Sequence, residues 1–175
     1  MAEILANSLG GGRMISQKVG TMTGLSSEIR LINGSGLGQQ NQISPRATVA
    51  MLIATQNIAQ TQGLSLADLY PSSQCRCGTI KYRGLPYGTI AKTGTLSSVS
   101  SLGGVLQTRD RGAIWFSFLN RGAGDINIFH QGQDRVLLRL AQKWRLGFTT
   151  FPNMPTFQPI PWQDRDRNKI TLPLN

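Results

Sequence analysis

The residues best placed by type to do chemistry form one short run, Lys92-Thr93-Gly94-Thr95. Alone, a Lys-Thr-Gly triplet is weak, because three common residues meet by chance in many chains. Other candidates fall away on inspection. Ser35 lies in a glycine-rich loop, but no glycine–x–serine–x–glycine elbow surrounds it. The single histidine, His130, is far off in sequence and unable to activate it. No serine is followed three positions on by lysine. Ser27 has Arg30 there, and an arginine stays protonated and cannot serve as a base. Nor does any Ser-x-Asn occur; Ser117 and Asn120 have the wrong spacing. Cys75 and Cys77, the only cysteines, lack the further ligands of a zinc site, so no metal is expected. Two residues is also a poor separation for a disulfide, and the expectation is a pair of small, partly buried thiols.

The setting of the triplet carries more information than the triplet. Before it stand Gly78-Thr79-Ile80-Lys81-Tyr82-Arg83, a turn at Gly84-Leu85-Pro86, and Gly88-Thr89-Ile90-Ala91. After it comes the small-residue run Ser100-Ser101-Leu102-Gly103-Gly104-Val105. Further upstream are Asn33-Gly34-Ser35-Gly36-Leu37, Asn41, and a helix start at Ser44-Pro45. This ordered set, over about residues 1–122, resembles the class C low-molecular-mass penicillin-binding proteins, the D-alanyl-D-alanine carboxypeptidase/endopeptidase family. That family's loop usually continues Leu-Ser-Arg, where this chain has Leu37-Gly38-Gln39.

The resemblance implies the serine β-lactamase/penicillin-binding transpeptidase-like fold and a set of roles. Lys92 would bring positive charge to the catalytic hydroxyls and the substrate's terminal carboxylate. Thr93 would hydrogen-bond that carboxylate, and Gly94 would keep the strand clear beside it. The backbone N–H of Thr95 would be one oxyanion donor. Ser35, Gly36 and Leu37 would form a cleft wall. Peptidoglycan stem peptides ending in D-Ala-D-Ala would be the substrate and β-lactams the trapping ligands of the complete enzyme, with no cofactor.

Penicillin-interacting serine enzymes also need Ser-x-x-Lys and Ser-x-Asn. In the family the latter sits just before a helix beginning much like Met1-Ala2-Glu3-Ile4-Leu5. The chain therefore reads as the carboxy-terminal part of such an enzyme, begun at an internal methionine and without turnover of its own. The alternative is a non-catalytic D-Ala-D-Ala-binding remnant. The family works in the periplasm or otherwise outside the cytoplasm. Residues 1–10 lack the basic start of a signal peptide, so a chain truly starting at Met1 would stay cytoplasmic.

The elements that must position these residues read as α+β. Ile4, Leu5 and Leu9 space a short helix over Met1–Leu9, closed by Gly10-Gly11-Gly12, with a weak helical stretch near Met14–Lys18. Ile29 to Ile32 reads as a strand entering the glycine loop. Ser44 can cap the next helix and Pro45 suits its first position, while Gly63 ends it. Val49, Met51, Leu52, Ile53 and Ile58 surround that helix, predicting burial on more than one side. A short helical piece follows at Ser65–Leu69. The period then becomes two, giving strands at 88–96, 99–107 and 112–120, with Arg109-Asp110-Arg111-Gly112 turning between the last two. Ala113–Leu119 is almost wholly apolar, as a central strand would be. A final helix over Gln133–Arg145 presents Leu137, Leu140, Ala141 and Trp144 inward and Arg135, Arg139 and Lys143 outward.

The bulk numbers set outer bounds. In 175 residues, 39% hydrophobic and 15% charged, there is enough apolar surface for one folded domain. No run is long enough to span a bilayer. The formal charge of +10 could draw polyanions, but the bases are scattered from Arg13 to Lys169, and no nucleic-acid partner is expected. The catalytic-domain portion is placed at 1–148. The stretch 149–175, with five prolines, is expected to be an extended tail.

Overall fold

The computed structural model describes residues 1–147 apart from Gln39 and Arg76, so the expected tail at 149–175 lies outside the described residues. The architecture is α+β, as the periodicities predict. Helix α1 (Ala2–Ser8) and α2 (Gly11–Thr23) lead through a 3-10 turn to two short strands, β1 (Ile29–Arg30) and β2 (Gln42–Ile43). Then come α3 (Pro45–Thr61), α4 (Leu66–Leu69) and a 3-10 turn over Gly78–Tyr82. The chain closes with β3 (Ile90–Leu96), β4 (Val99–Thr108), β5 (Gly112–Arg121) and α5 (Ile126–Trp144).

The antiparallel sheet runs β3-β4-β5, with Lys92 opposite Gly103 and Gly94 opposite Ser101. Among the described residues strand β4 lies between β3 and β5, and Leu102, Val105 and Leu106 on it are fully buried. There the apolar run 113–119 belongs to an outer strand of the sheet, where the sequence pattern suggests a central one. It is apolar because both of its faces meet packed groups. Ile114, Phe116 and Phe118 join the cluster around Leu102, Leu106 and Leu137 of α5; Ala113 and Trp115 join Leu66, Ile90 and Val105 on the other side. Alternation along β4 thus sends even positions toward α5 and odd positions toward α3 and α4. Thr48 and Leu52 of α3 pack close against Gly103.

Three elements depart from expectation. Helix α2 is 13 residues long rather than one weak turn, and Gly11-Gly12 open it instead of only ending α1. Its inner stripe is Gly12, Ser16, Gly20 and Thr23, small residues that let neighbouring backbone approach; Leu31 N–H donates to Ser16 Oγ at 2.6 Å. A stripe of that kind carries no hydrophobic period. Helix α5 begins seven residues before the expected Gln133, at Ile126, because Asp125 caps it by accepting from Asn127 N–H at 2.9 Å. The expected strand at 29–32 shrinks to two residues, paired with β2, which sequence period did not reveal.

Ser44 caps α3 as expected, accepting from Ala47 N–H at 2.9 Å. It also donates to Glu28, which forms an ion pair with Arg46. The Arg46 guanidinium, then the Ser44 hydroxyl, hold the Glu28 carboxyl below the usual carboxylate range. A depressed folded-state pKa adds stability above the unfolded value, and that stability is lost as pH falls through the folded one. Melting temperature should therefore drop on acidification below the ordinary glutamate range, and Glu28→Gln should flatten that part of the profile. An unchanged acid limb in the variant would contradict the stabilising role of the Glu28 carboxylate.

Candidate functional site

A groove of about 690 Å³ runs beside β3, between that strand and the loop ahead of β2. Lys92, Thr93, Gly94 and Thr95 form one wall. Ser35, Gly36, Leu37, Gly38 and Asn41 face them, and Asn120 and Arg121 close the β5 end. All seven residues singled out from sequence thus share one cavity.

Strict alternation sends Lys92 and Thr93 to opposite faces of the sheet, yet both line the groove. Among the described residues no strand pairs with the outer side of β3, so residues from both of its faces can border the groove, which also reaches Ser101 and Leu119 on the neighbouring strands. Lys92 is exposed and Thr93 is buried. The Lys92 ammonium curls back to donate to its neighbour's carbonyl, Thr93 O. The Thr93 hydroxyl shares a hydrogen bond with that of Thr79, held out by the 3-10 turn.

The backbone of β3 has a defined polarity. Ala91 N–H donates outward, away from β4, to Pro71 O at 3.1 Å. Because strand N–H groups alternate in direction, those of Thr93 and Thr95 also point out of the sheet. Ser101 Oγ, on β4, donates to Gly94 O at 3.3 Å, which agrees with Gly94 facing inward. A Cβ at Gly94 would meet this Ser101 hydroxyl, a rotatable group that would have to turn aside to admit it.

The opposite wall is tied down from a distance. Glu3 Oε2, from α1, accepts from Gly34 N–H and Ser35 N–H, each at 2.9 Å. Gly34 lies against Ala6, leaving no room for a side chain. Asn41 Oδ1 accepts from Ile32 N–H at 2.7 Å, and its amide donates to Asn33 Oδ1 at 3.0 Å. Asn33 Oδ1 in turn accepts from Gly36 N–H at 3.0 Å. The loop is therefore a braced structure even though Leu37 at its tip is exposed.

Behind the groove runs a buried polar chain. Gln133 Nε2 donates to Asn120 Oδ1 at 2.7 Å and to Ser100 Oγ at 3.2 Å. Its Oε1 accepts from Arg83 Nη2 at 2.8 Å, and Arg83 pairs with Asp134 at 2.6 Å. This chain connects the segment that carries Thr79 with α5 and the sheet. Sequence reasoning assigned no role to Glu3, Thr79, Gln133 or Arg83. Thr79, Arg83 and Glu3 were visible as motif context, whereas Gln133 had no local signal.

His130 is on α5, outside the groove lining; burial, then the Arg83 charge, lower its pKa. The cysteine expectation is overturned. Cys75 and Cys77 are exposed and joined in a disulfide, because a turn brings their Cα atoms to 5.2 Å, within the usual bridging range. Among the described residues no group of three or more His, Cys, Asp or Glu could hold a metal. No helix among them is long and apolar enough to cross a membrane.

The sequence matches the D-Ala-D-Ala carboxypeptidase 3 (S13) family over residues 10–142. Among solved structures, the chain is similar to a predatory endopeptidase from Bdellovibrio bacteriovorus in complex with an immunity protein. The identity is 20% and the TM-score 0.75, over 87% of this chain and 42% of that one. A predatory peptidoglycan endopeptidase from the same organism gives 21% and 0.73, over 91% and 43%. These two show the fold. Penicillin binding protein 4 from Haemophilus influenzae, complexed with a β-lactam, gives 25% and 0.56, over 74% and 31%. The chain spans less than half the length of each. No curated protein sequence matches it.

Proposed function

The chain belongs to the D-Ala-D-Ala carboxypeptidase 3 (S13) family, and from that premise we propose that it carries the substrate-binding wall of a serine-type D-alanyl-D-alanine carboxypeptidase acting on peptidoglycan stem peptides. The observation that carries the reading is the open edge of β3. There a lysine ammonium, a threonine hydroxyl and outward backbone N–H groups face one groove. An extended peptide lying along such an edge would pair with the strand's backbone and bring its C-terminal carboxylate to Lys92 and Thr93. Its scissile carbonyl oxygen would then meet Thr95 N–H, which is already oriented and needs no rearrangement to receive charge. The Ser35–Leu37 wall limits the width of the groove from the other side. The exposed Cys75–Cys77 disulfide supports work in an oxidising, extracytoplasmic compartment.

Binding without turnover is the expected property of this sequence by itself. It has no Ser-x-x-Lys to supply nucleophile and base, and no Ser-x-Asn to relay a proton. Such groups act as a unit, so a lone oxyanion donor leaves little chemistry behind. Incubation with a fluorescent penicillin followed by denaturing electrophoresis should give no labelled band. A covalent label on this chain would overturn the expectation of binding without turnover and require a nucleophile among the serines present. A non-catalytic D-Ala-D-Ala-binding role is the second reading; it rests on the same groove and on the lack of Ser-x-x-Lys and Ser-x-Asn within these 175 residues.

A further inference from the structure

The outward face of α5 takes no part in the groove, and we propose that it is a docking surface for an anionic lipid bilayer. Arg135, Arg139 and Lys143 recur at i, i+4 and i+8, so they form one ridge along the helix, and all three are exposed. Ile128, two turns before Arg135, falls on the same line and is 68% exposed. Val136 and Leu138 flank the ridge on its two sides and are also exposed, at 44% and 41%. The opposite stripe, Gln133, Leu137 and Ala141, is buried in the protein.

Within the helix itself the charge on this face has one sign, and the exposed carboxylate of the N-cap residue Asp125 lies at its start. The only carboxylate within the helix, Asp134, is turned away and engaged by Arg83. At the C-terminal end the surface continues into the β4–β5 turn, which is bonded to the helix end through Arg109 N–H to Arg145 O at 2.8 Å. There Arg109 and Arg111 are exposed and Asp110 is neutralised by Arg145.

Two kinds of partner fit a basic ridge: a soluble polyanion or an anionic membrane surface. The apolar side chains decide between them. A polyphosphate or nucleic acid has no use for isoleucine, valine and leucine interleaved with the cations, whereas a bilayer takes both. Its phosphates meet the basic groups, and the acyl boundary receives the apolar ones, as for helices that lie in the interfacial plane. Association of this type is peripheral and reversible, and it leaves the groove free. It stands apart from the reading of the site and can fail or hold without it.

Vesicle sedimentation with the full chain tests this. Binding is expected to vesicles of phosphatidylcholine containing about one-third phosphatidylglycerol, and not to phosphatidylcholine alone, and it should weaken as salt rises. The triple variant Arg135→Gln, Arg139→Gln, Lys143→Gln should partition about 100-fold less well. Val136→Ser with Leu138→Ser should lower vesicle binding roughly tenfold while leaving retention on immobilised heparin unchanged. Circular dichroism should show every variant folded, since none of these side chains is in the core. Failure to bind the mixed vesicles at low salt, or a triple variant that binds like the parent, would overturn the proposal. So would an apolar variant with undiminished vesicle binding, which would assign the ridge to a soluble polyanion.

Discussion

Asp134→Ala should lower the free energy of unfolding by about 3–5 kcal/mol. The Arg83 side chain is only 4% exposed and that of Asp134 14%, so neither charge is well hydrated in the folded state. Asp134 Oδ1 accepts from both Arg83 Nε at 2.9 Å and Nη2 at 2.6 Å, and Oδ2 accepts from Gly84 N–H at 2.8 Å. Truncation leaves a guanidinium buried with two neutral acceptors, Gln133 Oε1 and the His130 carbonyl. It also leaves the Gly84 amide without its carboxylate. Breaking one side of a buried pair costs far more than the pair is worth, because the remaining charge has no counterion. Replacing both partners by apolar residues, as in Arg83→Met with Asp134→Leu, should therefore recover most of the loss. Urea unfolding of the two variants measures the difference. A loss below about 1 kcal/mol in the single variant would mean the pair behaves as a surface ion pair.

That pair also shows where sequence reading stops. Arg83 and Asp134 are 51 positions apart, and nothing in either local pattern announces the other. The same holds for Glu3, which braces a loop more than 30 residues away. By contrast, the meander was legible because alternation over 7 to 10 residues, punctuated by turns, has few other readings. The motif residues were legible as a group because the order of their surroundings is hard to obtain by chance. Which strand is central was not legible, since an apolar run reports covered faces and says nothing of which edges are paired. Helix α2 was missed because glycine, serine and threonine pack it closely without raising its hydrophobicity. The disulfide was missed because spacing along the chain is a poor guide where a turn shortens the path.

Lys92→Ala has the second large effect, and it falls on binding. In the groove the Lys92 ammonium donates to the backbone carbonyl of Thr93, a neutral acceptor that a carboxylate would outcompete. Hydrogen bonds to charged groups contribute about 1.5–3 kcal/mol, which corresponds to about 10- to 150-fold in Kd. The side chain is exposed and the strand's pairing with β4 runs through backbone, so the variant should keep its fold. Amidating the C-terminus of the peptide removes the same interaction from the other side. The amide should bind the parent chain no better than the free acid binds the variant.

Calorimetric titration of a peptide ending in D-Ala-D-Ala into the parent chain and into Lys92→Ala tests the central claim most directly. Saturable binding to the parent, weakened at least tenfold in the variant, is the predicted result. Equal affinities in the two proteins, or no binding to the parent, would contradict it.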